Sequence, residues 1–146
     1  MKYDLIIIGA GPAGISAAIY AKSRQAKVLL IEKNQVGGII GKVSTVTHYS
    51  AIIPGETGST FAKRMEAQVL QAGVEIVYET VTEVSLAGET KRVVTNQRSY
   101  EAEAVILANG STPRKLNIPG ELELDKHGIG LNVAKDGHGM KEKISM

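Results

Sequence analysis

Six residues near the start of the chain, Gly9-Ala10-Gly11-Pro12-Ala13-Gly14, have the types and the spacing to grip a pyrophosphate. In a G-x-G-x-x-G turn between a strand and a helix, the first glycine permits the tight turn. The second lets the backbone approach the anion, and the third lets helix and strand pack closely. The free N–H groups at the start of the helix then point at the negative charge. Glu32 stands about 20 residues further on, where a carboxylate accepts hydrogen bonds from ribose hydroxyls and repels a 2′-phosphate. An adenine dinucleotide is therefore expected, FAD or NAD rather than NADP.

The remaining reactive side chains are sparse. The 146 residues contain no cysteine, so they hold no disulfide, thiolate metal site or redox-active dithiol. His127, Asp136 and His138 follow no standard ligand spacing, and no metal is expected. No side chain qualifies by its setting as a catalytic acid or base.

The elements that must position the glycine turn are legible around it. Leu5–Ile8 is an unbroken apolar run, a strand buried on both faces. Pro12–Arg24 carries Ile15, Ala18 and Ile19 at helical spacing, with proline at the start where its missing N–H costs nothing. Val28–Ile31, closed by Glu32, is a second strand, and strand-helix-strand implies a right-handed parallel crossover. From Asn34 to Gly58 the glycine-rich sequence reads as a long loop with one short helical turn. A helix over 60–72 follows, capped by Ser59 or Thr60, with Phe61, Met65 and Val69 on its apolar face and Gly73 as its left-handed stop. Val74–Tyr78 is a third strand. Thr80–Leu86, Lys91–Thr95 and Arg98–Glu101 form an antiparallel meander, and Ala104–Ala108 a fourth buried strand. Past Pro113, Pro119 and Gly120 the charged, glycine-rich sequence has no amphipathic period.

The fold class expected is α/β: a three-layer, Rossmann-like FAD/NAD(P)-binding domain, its parallel sheet covered by helices on one face and by a three-stranded antiparallel meander on the other. The domain should run over 1–120, with an irregular tail over 121–146. Composition agrees, at 43% hydrophobic and 22% charged residues, aliphatics outweighing aromatics. Scattered charges summing to +2 leave no footprint for nucleic acid or an anionic membrane. The apolar start is too short for a membrane span and lacks a signal-peptide cleavage pattern, so a cytoplasmic protein is expected.

The run KYDLIIIGAGPAGISAAIYAKSRQAKVLLIEKNQVGG closely resembles the start of bacterial thioredoxin reductases, within the pyridine nucleotide-disulfide oxidoreductase superfamily. The resemblance continues through Phe61–Ala72, EIVYE, the meander and SYEAEAVILANGSTPRKLNIPG, and so covers residues 2 to 120. In that family this first fingerprint binds FAD. The resemblance implies that Gly9, Gly11, Pro12, Ala13 and Gly14 meet the pyrophosphate and that Glu32 and Lys33 lie at the adenosine ribose. It further implies that Gly37, Gly38 and Ile40 pass the flavin, that the backbone at Val81 meets the adenine, and that Ala108-Asn109-Gly110 turns beside the cofactor.

The chain also departs from the family. Gly37-Gly38-Ile39-Ile40 replaces G-G-Q-I, and His48-Tyr49-Ser50-Ala51 stands at the Asn-Tyr-Pro-Gly element, where His48 is positioned to hydrogen-bond the isoalloxazine. Gly128–Gly137 resembles the stretch around the redox cysteines, with Asn132 and Lys135 where the thiols would be. The expectation is an FAD-binding module, truncated or part of a split flavin-dependent disulfide oxidoreductase, inactive alone as a disulfide reductase. Its expected partners are a complementary redox subunit or a second copy. A non-catalytic association or regulatory protein and an NAD-binding Rossmann domain are the alternatives.

Overall fold

The computed structural model describes residues 2–112 and 114–124. Strand β1 (Lys2–Ile8) is central, its apolar run lying beside the parallel strands β2 (Val28–Glu32) and β6 (Ser99–Leu107). The full order is β3-β2-β1-β6-β5-β4, with β3 (Glu75–Tyr78) parallel to β2. β4 (Val81–Ser85) and β5 (Lys91–Thr95) run antiparallel beyond β6.

Period-2 alternation divides the apolar residues of the sheet between two cores. Ile7, Val28 and Leu30 face one way, where they meet Ile15 and Ala18 of α1 (Pro12–Ser23) and Phe61, Met65 and Val69 of α2 (Gly58–Gln71). Ile6, Leu29 and Ile31 face the other way and pack against Val93, Tyr100 and Ala102. Because β5 and the start of β6 cover that second face, the meander forms the third layer. The expected helix–sheet–meander layering is present.

Local signals set the helix ends. Pro12 occupies the first turn of α1 behind Gly11, which is in ordinary extended geometry. α2 ends as expected at Gly73, φ +71°, with Gly73 N–H donating to the Leu70 carbonyl and Val74 N–H to that of Val69. Its start differs. The cap is Thr57, whose hydroxyl accepts from Thr60 N–H, while the Thr60 hydroxyl accepts from Thr57 N–H; Thr60 is the third helical residue, not the cap.

The expectations for β6 also change. Arg98–Glu101 and Ala104–Ala108 fall largely in one strand, β6, whose residues Ser99–Ala102 pair antiparallel with β5 and whose residues Glu101–Leu107 pair parallel with β1. A single strand serves meander and parallel sheet, so the charged residues between the two apolar stretches mark no turn. The later part of β6 is also not buried: past Ala102 it has no partner on its β5 side among the described residues, and Leu107 is 55% exposed. At the other end, Glu121–Leu124 forms a short helix, α3, with the Glu121 carboxylate accepting from Leu116 and Asn117 N–H. Gly128–Gly137 and the His127, Asp136 and His138 set lie outside the described residues.

Candidate functional site

The C-terminal ends of β1, β2 and β6 open on one cleft, as strand ends do in parallel α/β sheets. Its volume is about 430 Å³, and Gly9, Glu32, Lys33, Val81, Asn109 and Gly110 are among its lining residues. Ile8, Ile31, Glu79, Thr80 and Thr112 complete it. Six residues singled out from the sequence therefore meet around one space although they come from four separate stretches.

The glycines of the fingerprint divide by what the protein itself demands of them. A Cβ on Gly9, whose φ is +103°, would fall 2.4 Å from the Ala108 carbonyl oxygen, and one on Gly14 would fall 1.9 Å from the Gly9 carbonyl oxygen. Both distances are far inside contact, so close packing of turn, helix and β6 requires these two glycines. Gly11 is different: among the described residues, a Cβ there meets nothing within 4 Å.

Neighbouring segments are drawn onto this turn. Gly9 N–H donates to the Ile31 carbonyl at 2.8 Å, Ala108 N–H to that of Ile8 at 2.8 Å, and Gly37 N–H to that of Ala10 at 2.8 Å. Gly37 and Gly38 both have positive φ; a Cβ on Gly38 would lie 3.6 Å from the Gly11 Cα. Thus Gly11, Gly38 and the first turn of α1, including Ala13, stand together.

Glu32 is 9% exposed. Its Oε2 accepts from Ala10 N–H at 2.8 Å and its Oε1 from Asn34 N–H at 2.9 Å. A carboxylate has about four acceptor sites, so each oxygen keeps capacity for a ligand hydroxyl while the backbone fixes its orientation.

Other expected residues do not line this cleft: Gly11, Pro12, Ala13, Gly14, Gly37, Gly38 and Ala108 stand around the glycine turn, and Ile40 and His48 lie further along the chain. Ile40 is half-buried and packs against the core on the helical face. His48 is exposed, its Nδ1 2.6 Å from the Thr47 hydroxyl, and does not line the cleft. Pro12 lines a second groove of about 830 Å³ between α1 and α2, with Ile15, Ile19, Tyr20, Tyr49 and Phe61 among its walls. That groove is larger, but its arginine is already committed: Arg64 makes a bidentate pair with Glu56, both contacts at 2.8 Å. Gly9, Gly110 and the buried Glu32 line the smaller cleft, and Gly11 and Gly38 stand beside its glycine turn.

Glu79 and Thr80 were not singled out from the sequence. The signal was present, since the acid closing EIVYE repeats the acid closing VLLIE one strand earlier. Glu79 accepts from the Tyr100 hydroxyl at 2.9 Å, and burial, reinforced by that hydrogen bond, pushes the Tyr100 phenol up to about 12.

Comparison with known proteins agrees with this geometry. Residues 3–144 match the family model described as pyridine nucleotide-disulphide oxidoreductase. The chain belongs to that family. Among its relatives, the thioredoxin reductase of Ureaplasma parvum is 42% identical over 97% of this chain and 45% of its own length. The crystal structure of Lactococcus lactis thioredoxin reductase superimposes with a TM-score of 0.83 at 33% identity, over 93% of this chain and 45% of that one. A ferredoxin-flavin thioredoxin reductase from Clostridium acetobutylicum gives a TM-score of 0.73 at 32% identity, over 92% of this chain and 46% of that one. The chain thus spans about half the length of the family members it matches. No helix among the described residues is long and apolar enough to cross a membrane.

Proposed function

We propose that this chain is the FAD-holding half of a thioredoxin reductase-type flavoenzyme. The observation that carries the reading is Gly11. Gly9 and Gly14 are needed by the packing of the protein, whereas Gly11 has ordinary backbone geometry and open space where its Cβ would stand. A glycine that the packing of the protein does not need is explained by a pyrophosphate approaching the backbone at that point. The name of the Clostridium acetobutylicum relative, which includes flavin, supports the same choice of cofactor.

The residues fit the cofactor. Gly11, Ala13 and Gly38 flank the place for the pyrophosphate beside the N-terminus of α1, where free N–H groups favour an anion. Glu32, fixed by Ala10 and Asn34, receives the ribose hydroxyls with its remaining acceptor sites and repels a 2′-phosphate. Val81, Asn109 and Gly110 form the walls of the adenosine end. When bound, FAD supplies the electron-carrying chemistry of its isoalloxazine ring.

The protein's part is to bind and orient. These 146 residues contain no cysteine, so they supply no dithiol for disulfide exchange, and the reading gives them no nicotinamide site. Titrating the purified chain separately with FAD, NADH and NADPH tests this reading. FAD should bind most tightly, and anaerobic NADPH should leave bound flavin oxidised. Preferential binding of NADH would overturn it in favour of an NAD domain, and rapid bleaching by NADPH would show that the chain carries its own nicotinamide site.

A further inference from the structure

Two buried carboxylates line the cleft, Glu32 and Glu79, and the dinucleotide reading uses only the first. Glu79 is 7% exposed. Its Oε1 accepts from the Tyr100 hydroxyl at 2.9 Å and lies 3.4 Å from the Arg98 Nε; its Oε2 accepts from the Thr95 hydroxyl at 2.7 Å. All three partners belong to the β5–β6 hairpin.

The same hairpin grips the next residue. Thr80 N–H donates to the Asn96 Oδ1 at 2.9 Å, and Asn96 N–H donates to the Thr80 carbonyl at 2.9 Å. On the other side, Glu79 N–H donates to the Glu32 carbonyl at 2.9 Å. The cleft wall from Glu79 to Val81 is therefore clamped between the hairpin and the end of β2.

Burying a carboxylate is expensive unless it is fully partnered. A connection that only joins β3 to β4 does not require one. Its place beside Glu32 supplies the reason: the wall must stand at a fixed distance from the ribose-binding acid if a flat ring is to fit between them. We infer that Glu79, together with Asn96, is a positioning residue that holds the Glu79–Val81 wall at the spacing the adenine ring needs. The inference rests on the dinucleotide reading and goes beyond it by assigning adenosine selection to the hairpin clamp.

The test separates the two halves of FAD. ADP carries the adenosine half without the flavin, and FMN carries the flavin half without the adenosine. Affinities for FAD, ADP and FMN are measured for wild type, Glu79→Ala, Glu79→Gln and Asn96→Ala, with the melting temperature of each. Glu79→Ala and Asn96→Ala should weaken FAD and ADP about 10-fold while FMN stays unchanged. Glu79→Gln keeps the volume and an acceptor for Tyr100, and should recover part of the loss.

Equal weakening of all three ligands would overturn the inference and make Glu79 purely structural, as would ADP and FAD affinities that match wild type. Should Glu79→Ala fail to fold, Asn96→Ala separates the same two outcomes, because Asn96 is exposed and its truncation removes only the side-chain half of the Thr80 clamp. Wild-type protein that takes up neither FAD nor ADP would overturn the dinucleotide reading itself.

Discussion

Among single residues, Gly11 and Gly14 make opposite predictions although they belong to one motif. A Cβ at position 14 collides with the Gly9 carbonyl oxygen, so Gly14→Ala should cost roughly 1–3 kcal/mol of stability, read by denaturant unfolding. Gly11 is the N-cap of α1, and aspartate is a favoured N-cap residue. Gly11→Asp should keep or raise the melting temperature while abolishing FAD retention, because a carboxylate would occupy the space proposed for the pyrophosphate. Retention equal to wild type would place the phosphates elsewhere. At this scale the sequence was informative where backbone conformation dictates residue type, as at Gly9, Gly14 and Glu32. Ile40 and His48 lie away from the cleft at Glu32, and their contacts depend on how the loop after Gly38 is folded down. Glu79 was missed because a strand-end acid shows its burial only once the β5–β6 hairpin closes over it.

At the level of elements, the loop between the 3₁₀ turn at Gly38–Lys42 and α2 is held by one latch. Arg64 pairs with Glu56 through both carboxylate oxygens and donates to the Ala51 carbonyl, while Glu56 accepts from Ile53 N–H and its own carbonyl accepts from Val46 N–H. The Arg64 guanidinium, chiefly by hydrogen bonding, holds the Glu56 carboxyl below the usual glutamate value of 4.5. A depressed folded value means that the contribution is complete above pH 4.5 and is lost as pH falls through the lower folded value. Melting curves taken from neutral into acid conditions should show Glu56→Gln less stable than wild type at neutral pH and less sensitive to acid below 4.5. Parallel curves would show that no such latch operates. At the next junction, Thr57→Ala should cost about 1 kcal/mol, since it deletes the reciprocal cap of α2. Helix ends were legible in sequence where glycine or proline punctuates them, at Pro12 and Gly73. The cap at Thr57 was harder to read because Thr57, Ser59 and Thr60 all have capping side chains. The merging of Arg98–Glu101 with Ala104–Ala108 into β6 was hidden by the same limitation: a strand that changes partners along its length shows two hydrophobic patterns with no turn between them.

At the scale of the molecule, the later half of β6 presents an edge unpaired among the described residues, with Ile106 and Leu107 exposed. Exposed apolar strand edges invite pairing with another strand. Sedimentation velocity should show concentration-dependent association, and Leu107→Lys should shift the population toward monomer; a wild-type chain monomeric at all concentrations would contradict this. The family resemblance was legible across most of the chain because the glycine turn, the acid closing β2 and the order of apolar runs are local features. The division of labour among the glycines was not, since it depends on which backbone atoms approach which Cα. The claim on which the account rests is that the space beside Gly11 and Glu32 holds FAD. The most direct measurement is the visible absorption spectrum of the purified chain after incubation with FAD and removal of free ligand by gel filtration. A flavin band that elutes with the protein at close to one FAD per chain is the expected result, whereas a colourless protein peak, with all flavin in the small-molecule fraction, would contradict FAD binding there.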